Sequence, residues 1–105
     1  MASLSGLQPW LRPYAEGLYD LARQYSMQPR ITSVFRSHGE QQRLYDRYRQ
    51  GLSDLPAAPP GKSQHQYGLA FDMVVREPTD QAWLGQVWNA WGGRWVAGDR
   101  VHFGS

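Results

Sequence analysis

Three stretches of the chain carry side chains that do chemistry: Ser63-Gln-His65-Gln-Tyr-Gly68-Leu-Ala70-Phe-Asp72, Asp99-Arg-Val-His102 and Phe35-Arg36-Ser37. His65, Asp72 and His102 supply two imidazoles and one carboxylate. That donor set suits a catalytic zinc ion with one coordination position left open for water. If Asp72 lies in a strand, its face is shared with Gly68 and Ala70, whose small size leaves room for a metal and a substrate backbone. Asp99 precedes His102 across a tight turn, so its carboxylate can reach a water in the open position without being a ligand. Arg36 offers a fixed fork of donors to a carboxylate or to developing negative charge. Taken singly, each residue has an ordinary explanation. A lone histidine is more often a surface or hydrogen-bonded core residue, Asp99 beside Gly98 is common turn chemistry, and Arg36 can pair with Glu40. The conjunction is what points to a site.

These residues need a scaffold, and the sequence patterning supplies one. Leu7, Leu11, Leu18, Leu21, Ala22 and Tyr25 fall at helical spacing, and Pro13 suits a helix start, which predicts a helix over 13–25. Pro29 ends it. Residues 30–35 are rich in β-branched side chains and read as a strand. Ser37 and Glu40 form a capping box that opens a second helix to about Gln50, with Gln41, Leu44, Tyr45 and Tyr48 on one face. Residues 51–64 hold three Pro and two Gly and read as one long irregular loop, of the kind that walls binding sites. A strand is expected over 67–75, a third helix after Pro78-Thr79, and two short strands at 94–97 and 101–103. Trp88, Trp91 and Trp95 are expected in the core. The fold class is α+β: one small domain, 1–105, with an antiparallel sheet flanked by about three helices.

Composition narrows the function. The 105 residues are 41% apolar and 19% charged, ordinary globular usage rather than a disordered tail. The chain has no Cys, which excludes thiolate zinc fingers, iron–sulfur clusters and cysteine nucleophiles. The net charge is +2, and Lys62 is the single lysine beside ten arginines. Arg43, Arg47 and Arg49 share a helix with Glu40 and Asp46 and read as a solvated, ion-paired face. No basic run marks a nucleic-acid surface, so nucleic acid is not an expected partner. No apolar run reaches the roughly 20 residues of a membrane span. The N-terminus lacks the cationic and apolar segments of a secretory signal, so the chain is expected to be made without its own export signal.

The motifs resemble those of the LAS-type zinc peptidases, which include VanY-like D-alanyl-D-alanine carboxypeptidases and L-alanyl-D-glutamate endopeptidases of phage lysis and spore cortex turnover. Ser63-x-His65, Gly68, Ala70 and Asp72, followed by Asp99-x-x-His102-Phe103, match the family pattern at every position. Thr32-Ser33-x-Phe35-Arg36-Ser37 with Gln41 and Leu44-Tyr45 is similar to its upstream segment, although Phe35 stands where Tyr is common. Trp91-Gly92-Gly93-x-Trp95 is similar to the stretch before its last ligand.

The resemblance implies a hedgehog/DD-peptidase-like fold and one Zn2+ per chain, held by His65, Asp72 and His102. It implies Asp99 as general base and then acid, and Arg36 as the group that holds a substrate carboxylate or the oxyanion. Gln41 and Ser63 would line the site. Tyr67, beside a ligand, is the best candidate for an aromatic that touches substrate, and His38 is expected to be exposed. The expected substrate is a peptidoglycan stem peptide, and the protein is expected to act on the bacterial cell wall as a monomer. The mostly apolar loop, with Leu52 and the Leu55-Pro56-Ala57-Ala58-Pro59-Pro60 run, suits an extended peptide. The reading is therefore cleavage between L-Ala and D-Glu, as in bacteriophage endolysins, with Arg36 mattering far more than Lys62. Removal of terminal D-Ala is the alternative, and a binding module without catalysis is the contrasting class, disfavoured because pure binding has no use for Asp99.

Overall fold

The computed structural model describes residues 3–35, 37–53 and 57–105. Among them are three helices, α1 (Arg12–Gln24), α2 (His38–Arg49) and α3 (Pro78–Ala90), and three strands, β1 (Arg30–Ser33), β2 (Ala70–Val74) and β3 (His102–Gly104). Short 3-10 turns cover Leu4–Gly6, Gln64–Tyr67 and Ala97–Asp99. The strands form one antiparallel sheet in the order β1-β2-β3, so β2 is central. This is the expected α+β domain.

Local chemistry explains the helix ends. Pro sits in the first turn of both α1 and α3, where its missing N–H costs nothing. At α2, Ser37 Oγ accepts from Glu40 N at 3.2 Å, and Glu40 Oε1 accepts from Ser37 N at 3.4 Å, the capping box read from the sequence.

The core forms where the helices cover one side of the sheet. Ala15, Leu18 and Ala22 of α1 and Leu84 and Trp88 of α3 are buried with Ile31, Phe71, Met73 and Phe103. Phe71 and Phe103 are register partners, and their rings stack at 5.3 Å with Trp88 edge-on to both. The two buried indoles also fasten the chain downstream of α3. Trp88 Nε1 donates to Gly104 O at 2.7 Å, and Trp95 Nε1 donates to Arg100 O at 2.8 Å. Gln81, buried on α3, donates to Met73 O and Arg100 O and accepts from Val75 N, so one side chain ties β2 to the turn before β3.

Four expectations are corrected. Residues 67–69 are not strand: Tyr67 closes a 3-10 turn, and Gly68 takes a left-handed conformation with φ +67°. Gly68 does not clear space for substrate either. Its backbone lies against the N-terminal segment, where a Cβ would come 2.8 Å from Gly6 O, and its carbonyl accepts from Gln8 N. Residues 94–97 make a single bridge, Arg94 to Gly104, before the chain turns, because Trp95 is drawn inward by its bond to Arg100. Trp91 is 41% exposed rather than core, since α3 ends there and its ring lies on the surface near Gly17.

Packing around Trp95 sets a test. A Cβ on Gly85 would run into the Trp95 indole, whereas one on Gly39 meets nothing within 4 Å. Gly85→Ala should lower stability by about 1–3 kcal/mol, as overpacking does. Gly39→Ala, in the first turn of α2, should leave stability unchanged or raise it by up to ~1 kcal/mol. Urea unfolding midpoints of the two variants check this.

Candidate active site

The face of the sheet opposite the Phe71–Phe103 stack carries the polar residues. Asp72 on β2 pairs in register with His102 on β3 and with Ser33 on β1. Directly opposed residues in an antiparallel sheet share a face, so Asp72 and His102 project together. The pairing of β1 with β2 shifts between Ile31 and Ser33, and beyond that irregularity Val34 presents its carbonyl to His65. Bulges often re-aim the chain beside a functional site.

His65 comes from the 3-10 turn ahead of β2. Ser63 caps that turn by accepting from His65 N at 3.3 Å, and both residues are buried. His65 Nδ1 lies 2.7 Å from Val34 O. A carbonyl only accepts, so Nδ1 carries the proton and Nε2 presents a lone pair. That lone pair lies 3.1 Å from Asp72 Oδ1, and the same carboxylate oxygen is 3.5 Å from His102 Nδ1. Two acceptors facing each other at 3.1 Å need a cation between them, a proton or a metal.

One ligand atom from each of His65, Asp72 and His102 lies within 4.8 Å of the others, the one such cluster found among the described residues. Two imidazoles and one carboxylate fit zinc with an open fourth position. The bond from Nδ1 to Val34 O is the outer-shell contact that metal-binding histidines commonly make.

The cluster sits in a cleft of about 510 Å³. Asp99, from the Ala97–Asp99 turn, lines the same cleft as the three candidate ligands. Gln41 and Ser63 line it too, as expected. Gln41 is fully buried, and its Nε2 donates to Ala58 O at 2.6 Å, which ties the chain at Ala58 to α2. Tyr67 is not brought in. It is 52% exposed, does not line the cleft, and its hydroxyl donates to Gly61 O. His38 is exposed at the start of α2. Arg36 lies outside the described residues, as do Leu55 and Pro56 of the expected wall.

Two features of α2 were missed in the sequence. Leu44, expected on a shared face with Gln41, is 40% exposed and forms cleft wall with Ala57 and Ala58. Arg47, read as part of an ion-paired surface, also faces the cleft, as does Lys62 from the segment opposite. A helix wheel shows which residues align, not whether core or cleft lies beside them. Gln64 was passed over as well; its Oε1 lies 3.0 Å from His102 Nε2.

Comparisons with known proteins agree with this fold. The family model for VanY, described as D-alanyl-D-alanine carboxypeptidase, matches residues 5–104. No curated protein sequence matches the chain. Among solved structures, a mutant VanY D,D-pentapeptidase from a VanB-type resistance cassette, in complex with Zn(II), superposes with TM-score 0.73 at 22% identity. The match covers 93% of this chain and 71% of that one. The LD-carboxypeptidase LdcB, whose structure is described as revealing peptidoglycan recognition, gives 0.74 at 25% identity, over 94% of this chain and 65% of that one. VanYB in complex with D-Alanine-D-Alanine gives 0.66 at 22% identity, over 93% and 70%.

The cluster predicts a stoichiometry. Protein stripped with a chelator and then offered Zn2+ should retain one ion per chain after desalting, measured by elemental mass spectrometry. His65→Ala and His102→Ala should each abolish that retention. Wild-type protein that keeps no stoichiometric metal would sink the assignment of the cluster.

Proposed function

The chain belongs to the VanY family of D-alanyl-D-alanine carboxypeptidases, and on that premise we propose that it is a zinc-dependent peptidase acting on the stem peptide of peptidoglycan. The observation that carries this reading is the His65–Asp72–His102 cluster sharing one cleft with Asp99. His65, Asp72 and His102 would hold the zinc ion, which when bound would supply Lewis-acid polarisation of the scissile carbonyl and a water with pKa lowered toward ~7.

The remaining steps fall to the chain's own residues. The Asp99 carboxylate accepts a proton from the attacking water as the water oxygen bonds to the carbonyl carbon. It then delivers that proton to the leaving nitrogen as the C–N bond breaks, giving a carboxylic acid and an amine. Arg36 keeps its proposed role toward the oxyanion or a substrate carboxylate. Leu44, Ala57 and Ala58 form the apolar side of the cleft, against which an extended peptide lies. Arg47 and Lys62 give it two cations for a carboxylate.

Those cations bear on which bond is cut. A D-Ala at the end of the stem has a free α-carboxylate next to the scissile nitrogen. So does D-Glu, because the chain continues from its side-chain carboxyl. Both leaving groups are D-residues with an anion in the same place. Release of terminal D-Ala is the first reading, supported by the family description and by the D-Alanine-D-Alanine complex of VanYB. Cleavage between L-Ala and D-Glu is the second, supported by the apolar wall, which suits a peptide that continues past the cut.

Three outcomes are expected. Digestion of purified peptidoglycan with zinc-loaded protein should release free D-Ala, seen by mass spectrometry; a new D-Glu amino terminus without D-Ala would establish the second reading instead. Asp99→Asn should keep one zinc per chain yet lose about 10²–10⁴-fold in turnover, the usual worth of a general acid–base group. Arg47→Ala should raise KM by roughly two- to fivefold, the ~0.5–1 kcal/mol typical of an exposed charge pair, and should leave an amidated substrate unaffected.

A further inference from the structure

His102 is the candidate ligand with the least support from its own strand, yet its ring has to be placed as firmly as that of His65. It lies on the last strand, its side chain is 27% exposed, and nothing in β-pairing fixes a side-chain torsion. Its Nε2 lies 3.0 Å from Oε1 of Gln64, the residue immediately before His65. An amide oxygen only accepts, so Nε2 carries the proton and Nδ1 presents its lone pair toward Asp72.

Gln64 reaches that position because Gly104 has no side chain. A Cβ on Gly104 would run into Gln64 Oε1 and come within 3.2 Å of His102 Nε2. Gly104 cannot move aside to admit one. Its carbonyl accepts from both Trp88 Nε1 and Arg94 N, and its N–H donates to Arg94 O. Gln64 is held from behind, its own carbonyl accepting from Gly68 N and from Leu69 N.

We propose that Gln64, seated in the space that Gly104 leaves open, is the positioning residue that sets the tautomer and ring orientation of His102 for metal binding. The proposal rests on the zinc reading above. It goes beyond that reading in assigning a role to two residues outside the ligand set, Gln64 at the cleft wall and Gly104 behind it. Outer-shell partners of this kind are worth about 10–100-fold in metal affinity.

Two measurements test it. The first is long-range 15N NMR of the His102 ring in metal-free protein, which reads the tautomer directly. The second is the zinc dissociation constant by chelator competition, with near-UV circular dichroism confirming the fold of each variant. Wild type should show His102 protonated at Nε2. Gln64→Leu should give a mixture of tautomers and bind zinc about 10–100-fold more weakly. Gln64→Glu, which keeps an acceptor oxygen, should retain the tautomer and the affinity. Gly104→Ala should weaken zinc binding as Gln64→Leu does, but cost little more in a Gln64→Ala background, where the clash is gone. Unchanged tautomer and affinity in Gln64→Leu would overturn the proposal, as would equal losses from Gly104→Ala in both backgrounds. If Gly104→Ala does not fold, the Gln64 series decides alone. If wild type binds no zinc, the metal reading fails, and the NMR comparison still decides whether Gln64 sets the tautomer.

Discussion

The pairing of β2 with a neighbour on each side is the constraint from which the rest follows. Asp72 faces His102 across one ladder and Ser33 across the other, while Phe71 faces Phe103 one residue earlier. Because strand side chains alternate, the register that stacks the two phenylalanines in the core also aims the carboxylate and the imidazole into the cleft. A slip of one residue would send Asp72 into the apolar layer and Phe71 into water. Burial of the aromatic pair therefore enforces the geometry of the polar one, and the site gains precision from contacts it does not share.

The same economy holds for the turn that carries Asp99. Helix α3 gives no residue to the cleft wall, yet Gln81 and the neighbouring Trp95 both donate to the carbonyl of Arg100, next to Asp99. The proposed base is thus held from behind by buried donors on the far side of the sheet. A buried amide making three hydrogen bonds is costly to disturb, because each partner left unpaired loses roughly 1–3 kcal/mol. Position at the base is in this way coupled to the stability of the core.

Much of this was legible in the sequence where a local rule and the tertiary context agree. Ser37 and Glu40 announced the start of α2, and Pro13 and Pro78 the starts of α1 and α3. The His65, Asp72 and His102 donor set was readable from residue type and motif spacing alone, and the structure brings those three together with Asp99 in one cleft. The failures have a common cause. Tyr67–Leu69 and Arg94–Ala97 have strand-like composition, but their backbones answer to partners that composition does not reveal: Gln8 for the first, Gly104 and Asn89 for the second. Leu44 and Arg47 have helical spacing that cannot say what lies across from them. Gln64 was invisible for a further reason, since its meaning depends on an empty Cβ position at Gly104, and no pattern along the chain records the absence of an atom at another place.

The attachment of residues 57–62 has a consequence for how proteins of this build diversify. Hydrogen bonds tie residues 57–62 to the rest of the site from Gln41 Nε2 to Ala58 O, from Tyr67 Oη to Gly61 O, and from Gly61 N to Gln66 Oε1. None of these touches the paired strands, and Gln41, Tyr67 and Gln66 all contact backbone atoms of the segment rather than its side chains. The side chains of residues 57–62 can drift without altering what the metal-site residues bond to, so long as Ser63 and Gln64, which bond to His65 and His102, stay in place. Substrate choice and hydrolytic machinery are separately heritable in such a molecule, so one set of ligands can serve stems of different chemistry by a change of wall.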